Sequence, residues 1–156
     1  MRRNSTHQNF IALFFIFVIL FIAQILSSLY PWLPPLTGFC FAYVLLSTKE
    51  ESNKFTLFMV LLYLSFYDIS QGFYPFVYVI LLLIAKLFNI YRVEQTTSCD
   101  KCILFFYVAV GYLGHFVLNF FLAYFANAPL PYFSVHYLYW IGFDAILAFA
   151  FLRVKH

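Results

Sequence analysis

The chain has 156 residues, of which 65% are hydrophobic and 10% charged, and its nine Lys and Arg against six Asp and Glu leave a formal net charge of +3. Soluble domains run near 25% charged, and one soluble core of this length could not hide so much apolar surface. An ordinary soluble globule is therefore excluded. So is a nucleic-acid footprint, because the cations are dispersed at the ends of apolar runs rather than gathered in a basic stripe.

In chain order the apolar runs fall at about 10–30, 34–47, 55–69, 73–91, 103–126 and 132–152. They predict an all-α, polytopic membrane protein: a single integral membrane domain of about six transmembrane helices. The first and fifth reach the roughly 20 residues that cross a ~30 Å hydrocarbon core, the fourth and sixth come close, and the second and third are short. The first run follows Arg2 and Arg3 but is too long for a signal-peptide core and lacks a clear small-x-small cleavage site, so it reads as a retained span.

The cations then orient the spans. Arg2 and Arg3 precede the first, Lys49 and Lys54 separate the second from the third, Lys86, Arg92 and Lys101 surround the gap between the fourth and fifth, and Arg153 and Lys155 follow the sixth. The other three connections carry no Lys or Arg. Short cytoplasmic loops concentrate these residues, so both termini face the cytoplasm. The alternation requires the second and third segments to cross separately. Tyr30, Trp32, Tyr74, Tyr132 and Tyr137 flank the uncharged connections as an outer aromatic belt would.

Cys99 and Cys102 form a C-x-x-C. A zinc site needs a second such pair or histidines at set spacing, and a redox motif needs a thioredoxin-like context. In a reducing cytoplasmic loop the two read as incidental thiols. Cys40, inside the second run, reads as a small buried apolar residue. No cofactor or metal motif appears, so no cofactor is expected.

Polar residues inside the spans are expensive and mark where helices meet or chemistry resides. His136, Trp140, Asp144 and Ala148 share one stripe of the sixth span; Gly111, His115, Asn119 and Ala123 share one of the fifth, with Gly114 beside it. Small and hydrogen-bonding residues at this spacing mark a helix interface. At 1.5 Å rise per residue, Asp144 lies about 12 Å and His115 about 18 Å from the cytoplasmic edge. A tight connection between the two spans then predicts a His115–Asp144 hydrogen bond, with Lys86 as the alternative partner of Asp144.

Asp68 lies where the third run meets the turn Ser70-Gln71-Gly72. Gly72 suits a positive φ or a helix stop, Pro75 fits a first helical turn, and the Asp68 carboxylate is placed to cap the next helix. The prediction is a helical hairpin with an acidic residue near its tip.

Six spans with both termini inside, Pro31, Pro34 and Pro35 opening the second, Asp68-x-x-x-Gly72 and the basic end Phe151-Leu152-Arg153 together resemble the MreD family of bacterial rod-shape-determining membrane proteins. The family tends to carry a glycine where this chain has Leu64, and another near Phe76. The resemblance implies a non-enzymatic scaffold subunit of the cell-elongation machinery in the bacterial cytoplasmic membrane. It would bind an MreC-like partner beside the peptidoglycan polymerase and transpeptidase. Asp68 and Gly72 transfer as structural or partner-contacting residues.

Two rivals come from other classes. An intramembrane aspartyl peptidase needs two carboxylates on one water, roles open to Asp68 and Asp144, though neither has the Asn-x-x-Asp-Arg or Asn-x-Ala-Asp surround of lipoprotein signal peptidases. The substrate-binding subunit of an energy-coupling-factor transporter should show an Ala-x-x-x-Ala docking patch. Ala12 and Ala23 of the first span are too far apart for that.

Overall fold

Helix boundaries follow from local chemistry. In the computed structural model, which describes residues 5–47, 54–88 and 99–152, the helices are α1 Ser5–Leu29, α2 Thr37–Ser47, α3 Lys54–Ser70, α4 Val77–Leu87, α5 Asp100–Phe125 and α6 His136–Phe151. Among the described residues there is no strand. α1 stops just before Pro31, which cannot donate the next helical hydrogen bond. α2 starts after Pro34 and Pro35, and its first bond runs from the Cys40 N–H to the Leu36 carbonyl at 3.0 Å.

α3 ends in a Schellman motif. Gly72 adopts φ 73°, its N–H reaches the Ile69 carbonyl at 3.2 Å, and the Phe73 N–H reaches the Asp68 carbonyl at 2.8 Å. Glycine meets this left-handed geometry without a Cβ penalty. α5 ends the same way with Asn127 (φ 51°) in the glycine's place, and the Ala128 N–H bonds the Ala123 carbonyl at 2.9 Å. Both stops lie at the end of the molecule where α2 and α4 begin.

α2 is the central post. None of its residues is exposed, and it packs against α3, α5 and α6, as a helix apolar on every side must. Close approach to α5 depends on Gly38, where a Cβ would come within 2.5 Å of the Tyr112 ring. α4 packs on α3 and α5, and α1 on α3. The resulting core holds Phe41, Leu45, Tyr63, Leu64, Tyr78, Tyr107 and Ile103, all at or near zero exposure.

Several polar side chains share the interior with this apolar core, and many large apolar ones face outward. Gln24, Thr37, Asp68, His115, Asn119 and Asp144 are buried, while Phe15, Ile19 and Leu29 of α1, Phe121 and Phe125 of α5, and Ile146 and Phe151 of α6 are exposed. α5 is long and apolar enough to cross a membrane by length and composition. The other apolar stretches, Phe14–Leu29, Thr37–Ser47, Phe55–Ser70, Val77–Leu87 and His136–Phe151, are shorter. Six of the nine Lys and Arg, namely Arg2, Arg3, Lys49, Arg92, Arg153 and Lys155, lie outside the described residues.

Several expected boundaries shift. The fourth helix begins at Val77 rather than near 73, so Pro75 sits before it and not in its first turn; Phe76, at φ 66°, makes the entry. The sixth begins at His136 rather than 132. Residues 128–135 return along α5 instead of forming a tight turn, bringing the Phe133 ring within 5.2 Å of Phe116. Tyr137 consequently sits in the core at 7% exposure, not in an outer belt, while Trp32 and Tyr132 are exposed.

Candidate functional site

Two short helices, α2 and α4, start inside the molecule, and each start meets a carboxylate from another helix. Helix N-termini leave unpaired N–H groups and partial positive charge, so a buried start demands an acceptor.

For α4 the acceptor is Asp68. Its Oδ2 accepts the Val77 N–H at 3.0 Å, and its Oδ1 lies 2.7 Å from Nε2 of His115. Asn119 Nδ2 stands 3.1 Å from the same ring nitrogen. The Asp68–His115 pair becomes a salt bridge when the imidazole is protonated. Both side chains are essentially fully buried. Aromatic rings box the imidazole: Tyr78 stacks on it at 4.3 Å, Phe73 meets it edge-on at 5.0 Å, and Tyr67 lies at 5.9 Å. Asn119, one turn along α5, donates to the His115 carbonyl at 3.0 Å and accepts the Tyr74 N–H at 3.2 Å. Asp68, His115 and Asn119 thus tie the α3–α4 hairpin to α5.

For α2 the acceptor is Asp144. Its Oδ2 takes the Phe39 N–H at 3.1 Å and the Tyr112 hydroxyl at 2.9 Å. The Gly38 N–H also faces this carboxylate, while Nε1 of Trp140, one turn away on α6, is buried without a hydrogen-bond partner.

These contacts correct two expectations. His115 pairs with Asp68, not Asp144, because the returning segment before α6 starts that helix well below the end of α5. Tyr112 and Trp140 stand 6.4 Å apart, so Asp144 meets Tyr112 rather than His115, one turn farther along. Lys86 is not the alternative partner; it stands exposed in the last turn of α4. The polar stripe of α5 is buried at Gly111, His115, Asn119 and Ala123, and Cys40 is buried as well.

A third expectation fails at the start of α5. Cys99 and Cys102 are joined by a disulfide and are not two independent thiols. Three residues of separation within one helical turn bring their Cα atoms to 5.3 Å, within bridging reach.

Sequence reading also passed over a polar latch. Gln24 of α1, fully buried, donates to Ser70 Oγ at 3.0 Å and accepts from the Tyr63 hydroxyl at 3.3 Å. The Pro35 carbonyl shares that single hydroxyl proton in a bifurcated bond, and Gln71 donates to Ser28 Oγ at 3.2 Å. The signal was present, since Gln24 is a lone amide within an apolar run.

Chemically, the arrangement caps, clamps and seals. No hydrogen bond joins Asp68 to Asp144, and among the described residues no group of three or more His, Cys, Asp or Glu is placed to hold a metal ion. A separate groove of about 120 Å³, lined by Val44, Leu57, Leu61, Val79, Leu82, Leu83 and Lys86, touches neither carboxylate. No family model, no curated protein and no solved structure matches the chain.

Proposed function

We propose that the chain is a multi-pass scaffold of the bacterial cytoplasmic membrane, of the MreD type, that binds an MreC-like partner and helps control cell shape and peptidoglycan synthesis. The observation that carries this reading is the saturation of the Asp68 hairpin. Both carboxylate oxygens are used, one on the Val77 N–H and one on His115, so the residue holds a shape rather than offering a reactive group.

The exposed apolar belt supports a membrane setting, because soluble monomers do not expose contiguous apolar surface on this scale. Phe76 supports the resemblance. It sits at φ 66°, a geometry glycine adopts without strain, near where the family tends to have glycine.

Both rivals lose support at the two helix starts. A peptidase dyad needs its carboxylates to share one water, whereas Asp68 and Asp144 each cap a different helix. Broken helices in transporters aim free N-termini at anionic substrate groups. Here resident carboxylates already occupy both N-termini.

The test is depletion in a rod-shaped host together with capture from detergent extracts. Rounded cells and co-purification of a single-span periplasmic coiled-coil protein are expected. Normal rods after clean deletion, with no such partner recovered, would overturn the reading.

A further inference from the structure

The Cys99–Cys102 disulfide bridges the first turn of α5 and ties no two helices together. Closing so short a ring removes little chain freedom compared with a bridge between distant elements, so the bond is poorly placed to act as a staple. Residues 99 to 102 are all exposed, which places the bridge at the surface. Cys99 is the N-cap of α5 and its Sγ accepts the Cys102 N–H at 3.3 Å. A 26-residue helix therefore directs its N-terminal partial charge at that sulfur, an environment that favours thiolate.

On the topology proposed above, on which this inference rests, this end of α5 faces the cytoplasm, where disulfides are transient, catalytic or sensing rather than structural. We infer that Cys99 and Cys102 form a reversible dithiol–disulfide exchange site whose co-reactant is a soluble cytoplasmic thiol–disulfide couple. In the reduced protein the Cys99 thiolate attacks one sulfur of the partner disulfide; that S–S bond breaks and the released thiolate takes up a proton. The Cys102 thiolate then attacks Cys99 Sγ, expels the second partner thiol and closes the ring. Two electrons pass from the protein dithiol to the partner, giving one protein disulfide and two partner thiols, and the reverse sequence reduces the protein.

The test uses the full chain in native membranes, equilibrated with glutathione buffers of graded reduced-to-oxidised ratio, acid-quenched, denatured and tagged with a mass-shifting maleimide. The chain has three cysteines, and Cys40 is free and buried, so it supplies a constant reference tag. One tag in oxidising buffers passing to three in reducing buffers is expected. One tag throughout marks a permanent bridge and three throughout mark incidental thiols; either result overturns the inference.

The assignment of Cys99 as the attacking sulfur has its own readout. Cys102→Ser should form a mixed disulfide with oxidised glutathione about tenfold faster than Cys99→Ser does, and equal rates would refute that role. An impermeant maleimide applied to reduced protein in inverted and right-side-out vesicles separates the two readings. Labelling in inverted vesicles alone supports the sidedness. Labelling from the outside overturns the cytoplasmic placement and the cytoplasmic couple with it, while the tag transition still reports independently on the exchange chemistry.

Discussion

The two buried helix starts solve one problem in different ways. α4 takes its cap from Asp68, nine residues before Val77 in the same hairpin, and the second oxygen of that carboxylate holds His115. α2 takes its cap from Asp144, 105 residues beyond Phe39, and that carboxylate also takes the Tyr112 hydroxyl and faces the Gly38 N–H. Each helix is entered through a left-handed non-glycine residue after a proline, Leu36 at φ 57° and Phe76 at φ 66°. That conformation costs about 1–2 kcal/mol and persists only where surrounding contacts over-determine it. The caps supply those contacts, reinforced by an imidazole at α4 and by a phenol at α2.

Substitutions can break this comparison, and the largest effect is expected at Asp68. Asp68→Ala strips the α4 cap and takes the acceptor from both the Val77 N–H and the His115 ring, a loss of about 2–5 kcal/mol for two buried groups left unpaired. Unfolding of the detergent-solubilised protein measures it. His115→Ala should cost much less in the Asp68→Ala background than in the parent, because the two act as one unit. Additive losses would show that they are not coupled.

Asp144→Ala comes next, at about 1–3 kcal/mol, since it orphans the Phe39 N–H and the Tyr112 hydroxyl but no ionisable partner. Asp144→Asn retains an acceptor and should fall well short of that loss. If Asp144→Ala proved more damaging than Asp68→Ala, the ranking of the two caps would be reversed.

Smaller effects sharpen the same contrast. Phe76 is 57% exposed, so Phe76→Gly gives up little packing while relieving the left-handed strain. The added unfolded-state freedom offsets part of that gain, leaving a net change within about 1 kcal/mol on the stabilising side. Leu36→Gly should be less favourable, because Leu36 is half-buried and its side chain packs. The smallest change belongs to Trp140→Phe. Its indole N–H is buried without a partner, and removing an unsatisfied donor should keep stability within about 0.5 kcal/mol of the parent. A loss above 1 kcal/mol would show that the N–H is satisfied after all.

The amino-acid sequence by itself determined the features whose causes are local. Apolar runs between proline, glycine and polar connections located six helices. The Gly72 stop lay within a few residues of its cause, because a Schellman motif closes over six residues. The position of Asp68 ahead of the next helix start was equally legible, as was the buried stripe of α5, which is a matter of helical period.

Only the tertiary structure decided who pairs with whom. His115 was readable as an inward polar residue, but its choice of Asp68 over Asp144 depends on the axial offset between α5 and α6. Residues 128–135 set that offset by returning along α5, and an extended segment carries no periodic signal from which a length offset can be read. The Asp144 cap on α2 spans most of the chain and joins elements that no local pattern connects. Gln24 found Tyr63 and Ser70 for the same reason: in an apolar interior an unpaired polar group is costly, and which partner satisfies it is settled by packing geometry.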